Sequence, residues 1–319
     1  MGGTIVLAPK YHPAYNEFCR RFDTEKACEQ ALFEAKWPNG FVCPVCRHSR
    51  AYSIRTRRLT LFECVECRHQ TTVIAGTIME GSRTSLMKWM HALILHVLPS
   101  GYSAKEISRI LEVTYKTAWL ICHKIRHAMG NAETKELLTG LVRIQPSHYR
   151  RVDRTTAQFL KIWRQPVLAA ATISEDGNFT DLRIRKIAEC EIERNRVNPD
   201  VIRTFVKESV DSKTVHPVVV PEFYGSDRSP EFTLQLHHAR AWINGVYSGG
   251  VGEKHLQAYL DQYCFRFPER QNVFFDKLLK WSLVTPRISY PDLIHKRNTT
   301  TSRRRSNLRK QAHFGFAAV

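Results

Sequence analysis

Four thiols are the residues best spaced to do chemistry. Cys43 and Cys46 flank Pro44-Val45, Cys64 and Cys67 flank Val65-Glu66, and 17 residues separate the two pairs. Two residues between thiols let both sulfurs reach one ion from a tight turn, and four thiolates complete a closed tetrahedral site. The pattern predicts one structural zinc ion held by Cys43, Cys46, Cys64 and Cys67, in a ribbon with strands at 51–54 and 59–62. Four sulfurs leave no position for water, so no catalytic role attaches to this ion. Arg47 and Arg68 follow the two pairs where a left-handed backbone is expected, at a cost of ~1 kcal/mol relative to glycine. Cys19, Cys28, Cys122, Cys190 and Cys264 lack such pairing and read as small buried apolar residues.

Charge supplies the second candidate chemistry. Arg47, His48, Arg50, Arg55, Arg57, Arg58, Arg68 and His69 crowd the ribbon beside Tyr52 and Phe62, a density suited to phosphate contact. Further on, Ser103 and Glu106 have the spacing of a capping box, and Ile107, Ile110 and Leu111 form an apolar stripe. After a turn at 112–114, a second helix is expected over 115–129, with Ala118, Trp119, Ile121, Cys122 and Ile125 available for packing. A short helix, a tight turn and a longer basic helix have the order of a helix-turn-helix, with an ordinary helical hairpin as the competing reading. In the first reading Thr114, Tyr115, Lys116 and Thr117 meet base edges, while Lys124, Arg126 and Arg109 meet phosphates.

The elements that must position these residues can be read from composition and pattern. The chain has 319 residues, 48 Lys and Arg against 30 Asp and Glu, a net charge of +18 and 43% hydrophobic content. That balance predicts a globular chain with a polyanionic partner. No apolar run is long enough for a membrane span, and the N-terminus does not resemble a secretory signal. Nine cysteines without an export signal favour a reduced, intracellular protein. A helical region is expected over 12–36, with a second helix capped at Asp23-Thr24 and a stop at Trp37-Pro38-Asn39-Gly40. Helices return over 84–129, broken at Pro99-Ser100-Gly101. Strands are expected at 141–144, 167–173, 179–187 and 215–220, with a hairpin turn at 175–178. Helices are expected again over 198–210, 231–244, 252–264 and 271–283. Beyond His295 the chain holds Lys296, Arg297, Arg303, Arg304, Arg305, Arg309 and Lys310 and no acid, which predicts nonspecific phosphate affinity, with Arg303, Arg304 and Arg305 as DNA contacts.

Taken together, Phe22-Asp23, Trp37-Pro-Asn-Gly40, the two cysteine pairs, Gln70-Thr71-Thr72, Ala75-Gly-Thr-Ile78, Lys88-Trp89, Tyr115-Lys-Thr-Ala-Trp119 and His123-Lys-Ile-Arg126 resemble insertion-sequence transposases. The subgroup resembled has an N-terminal zinc ribbon, a helix-turn-helix and an ISXO-like DDE domain. Gly245-Val-Tyr247, Lys254-His-Leu256, Ala258-Tyr-Leu260 and Phe265-Arg-Phe267 extend the likeness to about residue 294. The resemblance implies an RNase-H-like fold whose acids hold two divalent ions, normally magnesium, for DNA cleavage and strand transfer. The acids do not align. Gln145 stands where the first aspartate is expected, with Arg143 nearby; Glu222 approximates the second acid; Glu231 and Arg240 fall near the third motif; and the segment between the second and third motifs is much shortened.

The sequence therefore predicts a multi-domain α+β protein. Its parts are an N-terminal helical segment (1–40), a zinc ribbon (41–80), a helix-turn-helix (81–135), a degenerate RNase-H-like mixed α/β domain (136–294) and a basic tail (295–319). The expected function is sequence-specific binding of double-stranded DNA by a transposase-derived regulator or accessory factor with structural zinc and without magnesium. It would act as a homodimer, with a protein partner docking on the RNase-H-like domain, and would be cytoplasmic and nucleoid-associated. The alternative is an active DDE-type transposase using displaced acids such as Asp153, Glu222, Asp227 or Glu231.

Overall fold

Two short helices open the described chain, and their breaks are local chemistry. The computed structural model describes residues 12–153, 161–214, 217–223, 230–247, 251–267 and 274–294, with backbone alone at 151–153 and 161–163. Helix α1 (Pro13–Arg21) carries proline in its first turn, and α2 (Glu25–Lys36) is capped by the Thr24 hydroxyl, which accepts from the Ala27 amide. The ribbon comes next as an antiparallel sheet of β1 (Ala51–Ile54), β2 (Leu61–Cys64) and β3 (Gln70–Thr71), in that order. Phe33 and Trp37 from α2 and its C-cap pack with Phe41 and Phe62 at ring separations of 5.1–5.9 Å, so the ribbon is built onto the helices. The Lys36 ammonium donates to the carbonyls of Thr72, Val73 and Ala75, at 3.3, 3.1 and 2.6 Å.

Three more helices complete the N-terminal half: α3 (Leu86–Val97), α4 (Ala104–Ile110) and α5 (Tyr115–Lys135). The Glu25 carboxylate accepts from the Leu86 and Met87 amides and so binds α2 to the start of α3. The Ser103–Glu106 capping box forms as its spacing predicts. Helix α5 runs six residues beyond the expected end.

The second half is built on a four-stranded sheet of β4 (Leu141–Asp153), β5 (Lys161–Ile173), β6 (Phe179–Lys186) and β9 (Val218–Val219), in the order β6-β5-β4-β9. The first three strands form an antiparallel meander, while β9 lies parallel to β4, with Arg143 opposite Val218 and Ile144 opposite Val219. Residues 167–171 of β5 are all 0% exposed, the mark of a strand covered on both faces. Alternate residues divide accordingly. Val167, Ala169 and Ala171 meet α7 (Pro230–Val246) and α8 (Leu256–Phe265), whereas Leu168 and Ala170 meet α6 (Pro199–Ser209). A small hairpin of β7 (Ile192–Glu193) and β8 (Arg196–Val197), unanticipated from sequence, turns through Arg194 and Asn195 at φ +46° and +68°.

The cores do not divide at the boundary expected near residue 135. Helix α9 (Phe274–Val284), expected within the 136–294 unit, sends Leu278, Leu279 and Leu283 into the core shared by α1 to α5 and the ribbon. A final short helix, α10 (Tyr290–Ile294), comes after it. Among the described residues no helix is long and apolar enough to cross a membrane.

Candidate zinc centre and nucleic-acid interface

The ribbon brings its four sulfurs together. Cys43 and Cys67 Sγ atoms lie 3.6 Å apart, Cys46 and Cys64 Sγ atoms 3.5 Å apart, and all four fall within 4.8 Å of one another. Tetrahedral coordination at a zinc–sulfur distance of about 2.3 Å requires sulfur separations of about 3.8 Å, close to the two separations above, so the donor set fits one ion. Each pair closes as a turn: the Arg47 amide donates to the Cys43 carbonyl and the Arg68 amide to the Cys64 carbonyl, both at 3.1 Å. Arg47 and Arg68 take φ values of +65° and +59°, the left-handed backbone expected of them. Cys43 and Cys64 are buried and Cys46 and Cys67 exposed, so the ion would sit at the rim of the ribbon. Among the remaining cysteines, Cys28, Cys122 and Cys264 are buried and Cys19 partly so, but Cys190 is exposed in a 3-10 turn, correcting its assignment as a core residue.

The ribbon's outer surface is basic. Arg47, Arg50, Arg55, Arg57 and Arg68 are exposed. Arg68 lies 5.9 Å from the centre of the Tyr52 ring, itself 55% exposed. Arg58 is exposed too, yet it donates to the carbonyls of Ser82 and Thr84 at 3.2 Å, which ties the ribbon to the start of α3.

The helical pair separates its basic residues into two groups. At the N-terminus of α5 the Thr114 hydroxyl accepts from the Thr117 amide, Tyr115 is 58% exposed, and Lys116 points outward. No acid occupies the first turn of α5, and Arg109 of α4 is exposed nearby in sequence. Lys124 and Arg126, expected at phosphates, are instead buried at 7% and 1% exposure. Arg126 donates through Nε to Gln262 at 2.8 Å and through Nη2 to the Tyr247 hydroxyl at 2.9 Å, and its guanidinium lies 4.0 Å from the centre of the Tyr259 ring. Lys124 lies 5.9 Å from the Trp89 ring. The cause is packing. Helix α5 is covered on one side by α3 and α4 and on another by α8 and α9, so Lys124 and Arg126 face protein rather than solvent.

The positions where a DDE site would stand are differently furnished. Gln145 lies in the middle of β4 opposite Ala169, 1% exposed, on the face covered by α7. Glu222 lies just past β9, where its carboxylate pairs with Arg196 across a single antiparallel bridge. Glu231 is exposed in the first turn of α7, and Arg240 is half-buried on the same helix. Among the described residues, the four cysteines are the group of His, Cys, Asp and Glu side chains that converges closely enough to hold an ion. The side chain of Asp153, together with Asp227, Arg303, Arg304 and Arg305, lies outside the described residues. A cleft of about 880 Å³ opens between α5, β6, α6 and α8, and three cations in its lining are ion-paired within the protein: Arg183 with Glu133 at 2.7 Å, Arg185 with Glu208 at 2.5 Å and Lys186 with Glu253 at 2.9 Å.

Residues 23–70 match the family model described as a transposase zinc-ribbon domain. An uncharacterized protein in transposable element ISH50, from Halobacterium salinarum, is 26% identical over 145 residues, which cover 41% of this chain and 49% of that protein. The chain thus spans about half the length of this relative. No solved structure matches. The four thiols that fit one structural zinc ion lie inside the matched segment, so in its N-terminal part the chain is similar to the zinc ribbons of transposases.

Proposed function

We propose that this protein is a transposase-derived, sequence-specific double-stranded-DNA-binding protein that grips DNA without cutting it. The observation that carries the reading is the N-terminus of α5, where Thr114, Tyr115 and Lys116 stand exposed at the positive end of a 21-residue helix with no acid in its first turn. Partial positive charge from unpaired amides, a lysine and an aromatic ring at one helix tip suit entry into the major groove. In this reading α4 and α5 form the helix-turn-helix, Thr117 supports the tip, and Arg109, Arg55 and Arg57 hold the duplex backbone.

The body from β4 to α8 is read as an RNase-H-like domain. Its support is the antiparallel meander with β9 set parallel beside β4, which would bring a first and a fourth strand together. Loss of cleavage is inferred from charge: a neutral, buried Gln145 and an arginine-paired Glu222 are poor ligands for magnesium, which needs carboxylate oxygens. Homodimerisation, a protein partner on this body and a cytoplasmic, nucleoid-associated location belong to the same proposal.

The test is binding of the full chain to a duplex selected from random sequence, measured across salt concentration. Steep salt dependence and loss of sequence preference in Lys116→Ala, at about 1–3 kcal/mol, are expected. Salt-indifferent binding, or unchanged preference in that variant, overturns the reading.

A further inference from the structure

Strands β4 and β5 outrun the sheet they belong to. Strand β6 covers β5 as far as Val167, opposite Lys186, with one further bond from the Ile187 amide to the Pro166 carbonyl at 3.1 Å. On the other side, β9 pairs with β4 at Arg143 and Ile144. Beyond Tyr149 and Gln165, four more residue pairs run from Arg150–Arg164 to Asp153–Lys161, and among the described residues no other strand joins them. At about 3.4 Å per residue, this two-stranded arm extends about 14 Å past Tyr149. Its root is fixed. Tyr149 is buried in the core beneath α7, and the buried Gln165 donates through Nε2 to the Ile187 carbonyl at 2.7 Å. Next along the arm stand Arg150 and Arg164, both exposed and directly opposite one another. Like charges facing across a ladder repel, and among the described residues neither guanidinium is paired with an acid. The fold thus holds two positive charges together with no internal anion to offset them.

The arm and the tip of α5 leave the same end of the molecule. Helix α8 packs along both α5 and β6 and fixes their relative direction. On α5, the His255 ring, just before α8, lies 5.8 Å from the Trp119 ring near the tip, and Gln262 meets Arg126 further along. On β6, Glu253 meets Lys186, while Gln257 accepts from the Lys186 amide and donates to the Ile184 carbonyl. Arg183, earlier in β6, reaches the Glu133 and Glu136 carbonyls at the other end of α5, at 3.1 and 2.6 Å. The step from Arg183 to Lys186 therefore leads toward the α5 tip. Strand β5, antiparallel to β6, continues that way from Val167 back to Arg164 and into the arm. With packed helices about 8–10 Å apart and strands about 4.8 Å apart, tip and arm lie within about 30 Å of each other, less than one duplex turn of about 34 Å. We infer that the β4–β5 arm is a second DNA contact, in which Arg150 and Arg164 hold phosphates of the same duplex whose major groove receives the α5 tip. A bare two-stranded ribbon is narrow enough to lie along a groove, and guanidinium groups match phosphate oxygens in pairs. This inference rests on the DNA-binding reading of α5 and adds to it a contact from the second half of the chain.

The experiment places a photoreactive benzophenone side chain at Lys116 in one preparation of the full chain and at Arg164 in another, and maps crosslinks on a duplex of about 40 base pairs selected by the full chain. Crosslinks from position 164 are expected within about 10 base pairs of those from position 116. In parallel, R150A/R164A should lower the slope of log binding constant against log salt by about 1.8, the release of about two counterions, without changing the preferred sequence. R150K/R164K, which keeps both charges, should retain the original slope. Crosslinks from 116 at a mapped site, with those from 164 absent from the duplex or formed to a second copy of the chain, overturn the arm contact and leave the DNA-binding reading standing. An unchanged salt slope in R150A/R164A does the same, as does an equal loss of slope in R150K/R164K. Failure of the full chain to bind any selected duplex overturns both.

Discussion

The ribbon gathers four metal-binding thiols, whereas the four-stranded sheet, proposed above as the frame of a former acidic site, gathers no such group among the described residues. In the ribbon the ligands and the frame are inseparable. The turns that hold Cys43, Cys46, Cys64 and Cys67 are formed by those same residues, and the sheet is too small to stand without an ion and the aromatic packing beneath it. In the four-stranded sheet the frame stands by itself. Val167 to Ala171 and their partners on α6, α7 and α8 bury both faces with apolar groups, and Gln145 fits into the middle of it. Acidic ligands can therefore be lost from such a sheet without loss of fold, whereas one lost thiol takes the ribbon with it.

Cys43→Ser tests the first half of this contrast and carries the largest effect. Structural zinc contributes about 10–16 kcal/mol of apparent binding free energy in small zinc domains. The variant should lose its bound zinc by elemental analysis and become protease-sensitive between the two cysteine pairs; a zinc content near one per chain would contradict the assignment. Gln145→Asp tests the second half. A carboxylate at a position 1% exposed should destabilise the chain by about 3 kcal/mol or more in denaturant melts, with no recovery on adding magnesium. Magnesium-dependent recovery would show that the sheet still gathers ligands around that point.

Two smaller effects sharpen the comparison. His96 sits where the halves meet, 1% exposed, with its ring bonded to the Ala92 carbonyl at 2.7 Å. Burial, reinforced by Arg126 and Arg266, pushes its pKa down to about 3. A histidine depressed in the fold binds fewer protons than in the unfolded chain, so its contribution is present above about pH 6.5 and is lost as pH falls toward 3. About 2 kcal/mol should be gone by about pH 5, and His96→Gln should flatten the stability profile between about pH 6.5 and 4. A profile with the same slope in the variant would place the acid sensitivity elsewhere. Arg196→Ala frees the Glu222 carboxylate at a half-exposed site, and should cost less than about 1 kcal/mol without creating manganese affinity in calorimetry. Manganese binding in that variant would mark Glu222 as a ligand held in reserve.

How much of this was legible from sequence depended on distance along the chain. The zinc set, the capping box and the left-handed Arg47 and Arg68 are short-range chemistry, and the spacing carries them whole. Strand positions were recognisable from apolar runs, though β4 and β5 extend beyond those runs into polar residues such as Arg150 and Arg164, where cross-strand pairing rather than side-chain pattern sustains them. Lys124 and Arg126 misled because periodicity marks a helix's buried face from its apolar residues alone. Here a second face is covered by Tyr247, Tyr259 and Gln262, more than 100 residues later, and an arginine satisfied by tyrosine and glutamine looks polar in sequence. A usable signal was present in the small residues of that helix: Gly130 leaves room for Asp261 of α8, since a β-carbon there would fall 2.8 Å from its carboxylate. The β7–β8 hairpin was missed because Arg194 takes a left-handed turn position ordinarily given to glycine or asparagine.

The proposal that the chain grips DNA without cutting it is tested most directly by incubating the zinc-loaded full chain with a selected duplex carried on a supercoiled plasmid, in magnesium or manganese, and scoring both retention and nicking. Tight, salt-sensitive retention with every plasmid still supercoiled is expected. Metal-dependent nicks that disappear in Glu222→Ala would contradict it.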